Sequence, residues 1–127
     1  IGVQDPESNR GAYLGVLAVA DRAVVTSGPY ERFFIQDGKR YHHILDTETG
    51  YPVENGVNSV TIVAENSMDA DALSTVVFAL GAEKGIEMIE TLDGVEALVI
   101  TQAKLLQASS GFSAAFTLTD DSYRFAP

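Results

Sequence analysis

Apolar residues fall on alternate positions in "SVTIVAE", residues 59–65, placing Val60, Ile62 and Ala64 on one side of an extended segment. Tyr13 to Ala20, "YLGVLAVA", and Ala23 to Ser27, "AVVTS", also read as strands, with the charged pair Asp21-Arg22 between them. "EALVITQ" and "KLLQAS" form a last pair. Between 59–65 and that pair the period changes from two to 3.6. "SMDADALSTVVFAL", residues 67–80, predicts a helix with Ser67 as N-cap, Asp69 at the positive end of its dipole and Gly81 just past its end. "AEKGIEMIETL" predicts a second, shorter helix weakened by Gly85. "SGPY" at 27–30 is a turn. Asp37-Gly38 is a strong hairpin signal, with arms at roughly 30–36 and 40–46. "TETGYPVENG" is a loop rich in turn formers. The sum is an α+β fold: a mostly antiparallel sheet with two helices packed on one face.

Composition narrows the function classes. The 127 residues hold no cysteine, which excludes disulfides, thiolate metal sites and cysteine nucleophiles. Eighteen acids against eight bases give a net charge of −10. The surplus sits in residues 41–103, where eleven acids face a single base, Lys84. That sign disfavours nucleic acid and an anionic membrane surface as partners. It suits either a solvated acidic face or a site that meets its ligand through a divalent cation. The chain begins at Ile1 rather than Met and is expected to be one domain fragment, 1–127, of something longer. Such a piece is expected to expose apolar surface along "YLGVLAVA" and to need its upstream half or self-association.

Helical geometry sharpens one candidate. With about 100° per residue, Ala70, Leu73, Val77 and Leu80 form the expected core stripe. Asp71, Thr75 and Phe78 form a second stripe, centred roughly 140° away. The i, i+4 spacing stacks the Asp71 carboxylate over the Thr75 hydroxyl. Two hard oxygens there are half of a Mg²⁺ site. The alternative is that Thr75 bonds back to a carbonyl and Asp71 is simply solvated. The two histidines, His42 and His43, are adjacent in "GKRYHHILD" and point to opposite faces of an extended strand. Tyr41, His43 and Leu45 share one side, and His42, Ile44 and Asp46 the other. Each histidine is either a satisfied structural residue or a general base near neutral pH.

"SGPYERFF" at 27–34, "GKRYHHILDTETGYPV" at 38–53 and "DADALSTVVFALG" at 69–81, in that order, resemble the flavin transferase (ApbE) family; the opening "IGVQDP" resembles the stretch before those motifs. The resemblance covers nearly the whole chain and implies the C-terminal part of a flavin transferase domain. It implies a reaction that takes FAD as substrate, moves FMN onto a Thr or Ser hydroxyl of an acceptor protein, releases AMP and requires Mg²⁺. It also admits members that hydrolyse FAD to FMN and AMP, and others that only bind flavin. Residue by residue, Asp71 and Thr75 match the metal-binding acid and hydroxyl. His43 matches the motif histidine, as base for the attacking hydroxyl or as a contact to the transferring phosphate. Ser27, Gly28 and Tyr30 match a turn near the flavin phosphates. Pro29 stands where the family often has an acid or amide, and Thr47 where it usually has Pro, which is expected to loosen that loop. The resemblance further implies flavin- and adenine-binding segments and a metal-contacting backbone position upstream, in a missing N-terminal half. It implies a location on the extracytoplasmic side of the bacterial envelope, with a membrane anchor in that half.

Overall fold

Two strands near the middle of the chain are apolar on both sides, and the structure shows why. Residues 1–29 and 33–127 are described by the structure, a computed structural model. In order, the elements are β1 (Gly2–Gln4), β2 (Tyr13–Leu17), β3 (Ala23–Ser27), β4 (Phe33–Gln36), β5 (Lys39–His42), β6 (Val57–Ala64), α1 (Ser67–Leu80), α2 (Ala82–Glu90), β7 (Glu96–Thr101), β8 (Leu105–Ala108), α3 (Ser110–Ala115), β9 (Phe116–Leu118) and β10 (Arg124–Phe125). Five strands form a sheet ordered β10-β8-β7-β6-β3, antiparallel except for the short β10–β8 pair. A second sheet is ordered β1-β2-β9, and β4 and β5 make a separate hairpin.

β6 and β7 occupy the middle of a three-layer arrangement. Val60, Ile62, Ala64, Ala97 and Val99 meet Ala70, Val77, Phe78 and Ile89 of the two long helices. The opposite side chains, Val63, Leu98 and Ile100, meet Leu14, Leu17, Phe112 and Phe116 from the smaller sheet and α3. Strands covered on both faces carry near-continuous apolar runs, which is the pattern of "EALVITQ". The α+β architecture with two consecutive helices on one face is therefore present. The third helix and the strands β1, β9 and β10 are additions that short, weakly patterned segments did not announce. On β2, Leu14 and Leu17 are buried while Tyr13 and Val16 are exposed. Among the described residues no helix is long and apolar enough to cross a membrane.

Several boundaries differ from expectation for local reasons. The N-cap of α1 is Asn66, not Ser67: its backbone is extended and its side-chain oxygen accepts from the Asp69 amide at 2.9 Å. Asn66 also donates from Nδ2 to Asp69 Oδ2 at 2.9 Å, so the two side chains close on each other in the manner of a capping box. The buried stripe of α1 is Ala70, Ser74, Val77 and Phe78, with Leu73 half-buried and Leu80 exposed. Phe78 offers far more area to bury than Leu80, and the stripe rotates toward it. β6 starts two residues early, and β2 ends at Leu17 rather than Ala20.

Gly81 has φ 91° and lets α1 stop and α2 start within one residue. Gly85 does not merely weaken α2. A Cβ there would lie 2.7 Å from Val77 Cγ1, so the glycine is what allows the two helices to approach. The expected hairpin turn is present, with Asp37 and Gly38 both at positive φ, 53° and 77°. Its second arm is shorter than predicted: β5 ends at His42, and 43–46 bends into the next turn.

Candidate functional site

α1 brings one polar edge to the surface beside its buried stripe. Asp71 and Thr75 are both exposed, one turn apart, while Ala70, Ser74, Val77 and Phe78 face the core. Among the described residues no side chain pairs with the Asp71 carboxylate. The Thr75 hydroxyl lies 3.5 Å from the Asp71 carbonyl, at the outer limit of a hydrogen bond. Ser74 sits closer to the same carbonyl, at 2.7 Å.

Ser74 also reaches the "SGPY" turn. Ser27 and Ser74 place their hydroxyl oxygens 2.6 Å apart in a buried contact, and Ser27, Gly28 and Pro29 are all buried. The turn and the Asp71–Thr75 edge are thus fixed to one another through a serine that the sequence pattern had left unassigned. The only signal for it was a small hydroxyl within the apolar stripe of α1. Tyr30 lies outside the described residues.

The two histidines part company as the alternation predicts. His42 and Ile44 turn inward, His43 and Leu45 outward. The Ile44 amide donates to His42 Nδ1 at 3.2 Å, so that nitrogen carries no hydrogen. His42 Nε2 therefore donates to the Val53 carbonyl, 3.0 Å away. Its ring stands edge-on to Phe78 of α1, with centroids 5.6 Å apart. His42 is a structural link between the hairpin, the following loop and α1. His43 is the solvent-facing member, just after β5.

The "DTETGYP" loop is closed by its own hydrogen bonds. Asp46 Oδ1 accepts from the amides of Glu48 at 2.8 Å and Thr49 at 3.4 Å. The Gly50 amide donates to the Asp46 carbonyl, and the Asp46 amide to that of Tyr51, both at 2.8 Å. Thr47 lies within this turn, which Asp46 organises from the side. Beyond the loop, Asn55 Nδ2 donates to the Phe78 carbonyl at 2.7 Å and ties the end of α1 to the start of β6. Pro29, His42, Val53, Gly56, Asn58 and Gln102 line a cleft of about 450 Å³ in this region. Asp71 and Thr75 do not line it. Its rim is acidic at Glu54, whose carboxylate pairs with Lys39 at 3.0 Å.

Among the described residues no group of three or more His, Asp or Glu side chains is placed to hold a metal ion. Asp71 and Thr75 fit Mg²⁺ only as part of a shell: two hard oxygens, solvent-facing, one of them anionic. Mg²⁺ retains several waters and accepts such an arrangement when other oxygens complete the octahedron.

A family model described as "ApbE family" matches residues 1–99. A protein named FAD:protein FMN transferase from Klebsiella pneumoniae (strain 342) is 40% identical over 124 residues, covering 98% of this chain and 39% of that protein. One of the same name from Treponema pallidum (strain Nichols) is 48% identical over 111 residues, covering 87% of this chain and 31% of that protein. The crystal structure of the ApbE protein from Thermotoga maritima superposes with a TM-score of 0.81 at 41% identity, covering 91% of this chain and 37% of that one. The chain thus spans between 31% and 39% of the length of these relatives.

Proposed function

The chain belongs to the ApbE family, and from that premise we propose that it carries the metal-binding edge and the base of a Mg²⁺-dependent FAD:protein FMN transferase. One observation of geometry carries the reading. On a helix whose inward face is filled, Asp71 and Thr75 stand open one turn apart and are pinned through Ser74 to the Ser27-Gly28 turn. The shared name of relatives matched over nearly the whole chain supports it from a second side.

In this reading the hydroxyl oxygen of an acceptor Thr or Ser attacks the FMN-side phosphorus of FAD. The new P–O bond forms as the bond to the bridging oxygen breaks, and AMP leaves with that oxygen. His43, facing solvent, takes the proton of the attacking hydroxyl. Asp71 and Thr75 would hold Mg²⁺, which when bound neutralises charge on the pyrophosphate. An anionic dinucleotide approaching a segment with eleven acids and one base needs such a counter-charge. The Ser27-Gly28 turn, tied to that edge through Ser74, would lie at the phosphate end. Residues beyond this chain supply the remaining flavin and metal contacts. The same reading assigns the protein to the extracytoplasmic side of the bacterial envelope.

The test uses the full-length protein, FAD, Mg²⁺ and a candidate acceptor, followed by mass spectrometry. An acceptor gaining the mass of FMN, with AMP released and both lost on chelation, is the expected result. AMP and free FMN without a labelled acceptor would make the protein an FAD hydrolase. FAD binding with no AMP over hours would make it a flavin-binding protein.

A further inference from the structure

We infer that Ser74 is a positioning residue that keeps the Thr75 hydroxyl available to the cation; this rests on the metal reading proposed above. A serine hydroxyl has one hydrogen to give. Ser74 Oγ lies 2.7 Å from the Asp71 carbonyl, which can only accept, so its hydrogen goes there. The 2.6 Å contact with Ser27 must then be donated by Ser27. The result is a one-way chain: Ser27 hydroxyl to Ser74 hydroxyl to Asp71 carbonyl. Ser74 is fully buried and Ser27 nearly so, which leaves water little chance to replace either bond.

The direction matters for Thr75. A threonine within a helix habitually turns its hydroxyl back onto the carbonyl four residues earlier. For Thr75 that acceptor is Asp71, and the contact is only 3.5 Å. A carbonyl has two lone pairs. The helix ladder gives one to the Thr75 amide, and Ser74 occupies the other at the shorter distance. Thr75 is outcompeted for its habitual partner, and its hydroxyl stays on the exposed edge beside Asp71. The chain also fixes that edge to the Ser27-Gly28 turn, so two parts of the site share one anchor. A serine that packing alone would replace with alanine thus sets the geometry of its neighbour.

The experiment measures the rise in melting temperature of the full-length protein as Mg²⁺ alone is added, and the midpoint of that rise. With Ser74→Ala, Thr75 can fall back on the vacated lone pair. The midpoint should move to about two- to tenfold higher Mg²⁺, the worth of one neutral hydrogen bond. Ser74→Thr keeps the donor and should hold the midpoint near wild type even if its extra methyl lowers the metal-free melting temperature. A Ser74→Ala midpoint equal to wild type, or a Ser74→Thr midpoint shifted as far as that of Ser74→Ala, overturns the inference. Should Ser74→Ala be too unstable, Ser27→Ala/Ser74→Ala removes the orphaned hydroxyl as well. It must show the raised midpoint, and an unchanged one overturns the role. Asp71→Asn is run alongside. If its Mg²⁺ response is lost while that of Ser74→Ala is normal, only the role of Ser74 fails. If Asp71→Asn responds like wild type, or wild type does not respond, the metal reading itself fails.

Discussion

Tyr123 donates its phenolic hydrogen to Asp5 Oδ1 at 2.5 Å, joining residues 118 positions apart in a buried contact. Asp5 also accepts from the Ser8 hydroxyl at 2.5 Å and the Glu7 amide at 2.9 Å, and Lys104 lies over the Tyr123 ring. This clasp fastens the segment after β1 to the segment before β10. A buried hydrogen bond to a carboxylate is among the stronger single contacts. Tyr123→Phe keeps the packing and should cost about 1.5–3 kcal/mol. Urea unfolding followed by circular dichroism measures it; a midpoint equal to wild type would show the bond to be dispensable.

The clasp also fixes a pH dependence. Burial pulls the Asp5 carboxyl upward, but the bonds from Ser8, Tyr123 and the Glu7 amide, with the charge of Lys104, hold it below the ordinary value of 3.8. A carboxyl depressed by folding contributes stability above its unfolded value and loses it as pH falls through the folded one. Burial first, then the bond to Asp5 and its charge, push the Tyr123 phenol well above its ordinary value of 10.0. That contribution is present below pH 10 and is lost as pH rises through the folded value. Wild type should therefore lose stability on acidification below 3.8 more steeply than Asp5→Asn. Melting temperatures across acid pH give both slopes, and parallel curves would rule Asp5 out as the cause.

How far the sequence discloses this fold follows from where periodicity is strong. β6, β7 and α1 were legible because each repeats its apolar residues over several positions. β1, β9 and β10 span two or three residues each and pair with distant partners, so no local pattern marks them. The Asp71–Thr75 edge is readable from spacing, but the same spacing puts Leu80 in the core stripe and Phe78 on the polar one, whereas Phe78 is buried and Leu80 exposed. Ser74, Asn55 and the inward role of His42 depend on contacts across 47, 23 and 11 residues. Such partners become visible only when the chain is folded.

Asp69 and Asp71 open the same helix yet serve different ends. Asp69 is engaged with Asn66 at the cap, and Asp71 stands on the exposed edge beside Thr75. Asp69→Ala loses an acid at the positive end of the helix dipole, about 0.3–1 kcal/mol, against a helix-propensity gain of similar size. It should therefore change stability by less than about 1 kcal/mol and leave the proposed Mg²⁺-dependent flavinylation intact. Asp71→Ala should leave the melting temperature of the metal-free protein within a degree or two of wild type while abolishing flavinylation; a surface change away from packing shifts stability by only about 0.5 kcal/mol. Acceptor labelling and thermal melts on both full-length variants decide it, and labelling by Asp71→Ala would remove that residue from the site.

The adjacent histidines should separate in the same way. His42 has both ring nitrogens committed and packs edge-on against Phe78, so His42→Ala removes two hydrogen bonds and an aromatic contact. The expected cost is about 2–3 kcal/mol. His43→Ala alters a solvent-facing side chain and should keep the fold while slowing transfer by about 10²–10⁴-fold if it is the base. Single-turnover labelling at several pH values reads this directly. Wild-type rates in His43→Ala would assign the proton to another group.

Gly85→Ala tests whether the α1–α2 approach or helix propensity governs that position. In an isolated helix, alanine for glycine gains about 1 kcal/mol. Here the new Cβ would lie 2.7 Å from Val77 Cγ1 and 3.2 Å from the Val77 carbonyl oxygen, both part of the opposing helix. Val77 is fully buried and branched at Cβ, so it cannot swing aside without leaving its rotamer. Overpacking of this kind costs about 1–3 kcal/mol and outweighs or cancels the propensity gain. The substitution should therefore be neutral to destabilising, never stabilising. Val77→Ala should by itself cost about 1–3 kcal/mol as a cavity, yet in the Gly85→Ala background it makes room for the added methyl. The double-mutant cycle should accordingly return a favourable coupling of at least about 0.5 kcal/mol. Additive costs, or a Gly85→Ala variant more stable than wild type, would mean that the helices separate easily and that close packing is not what the glycine provides.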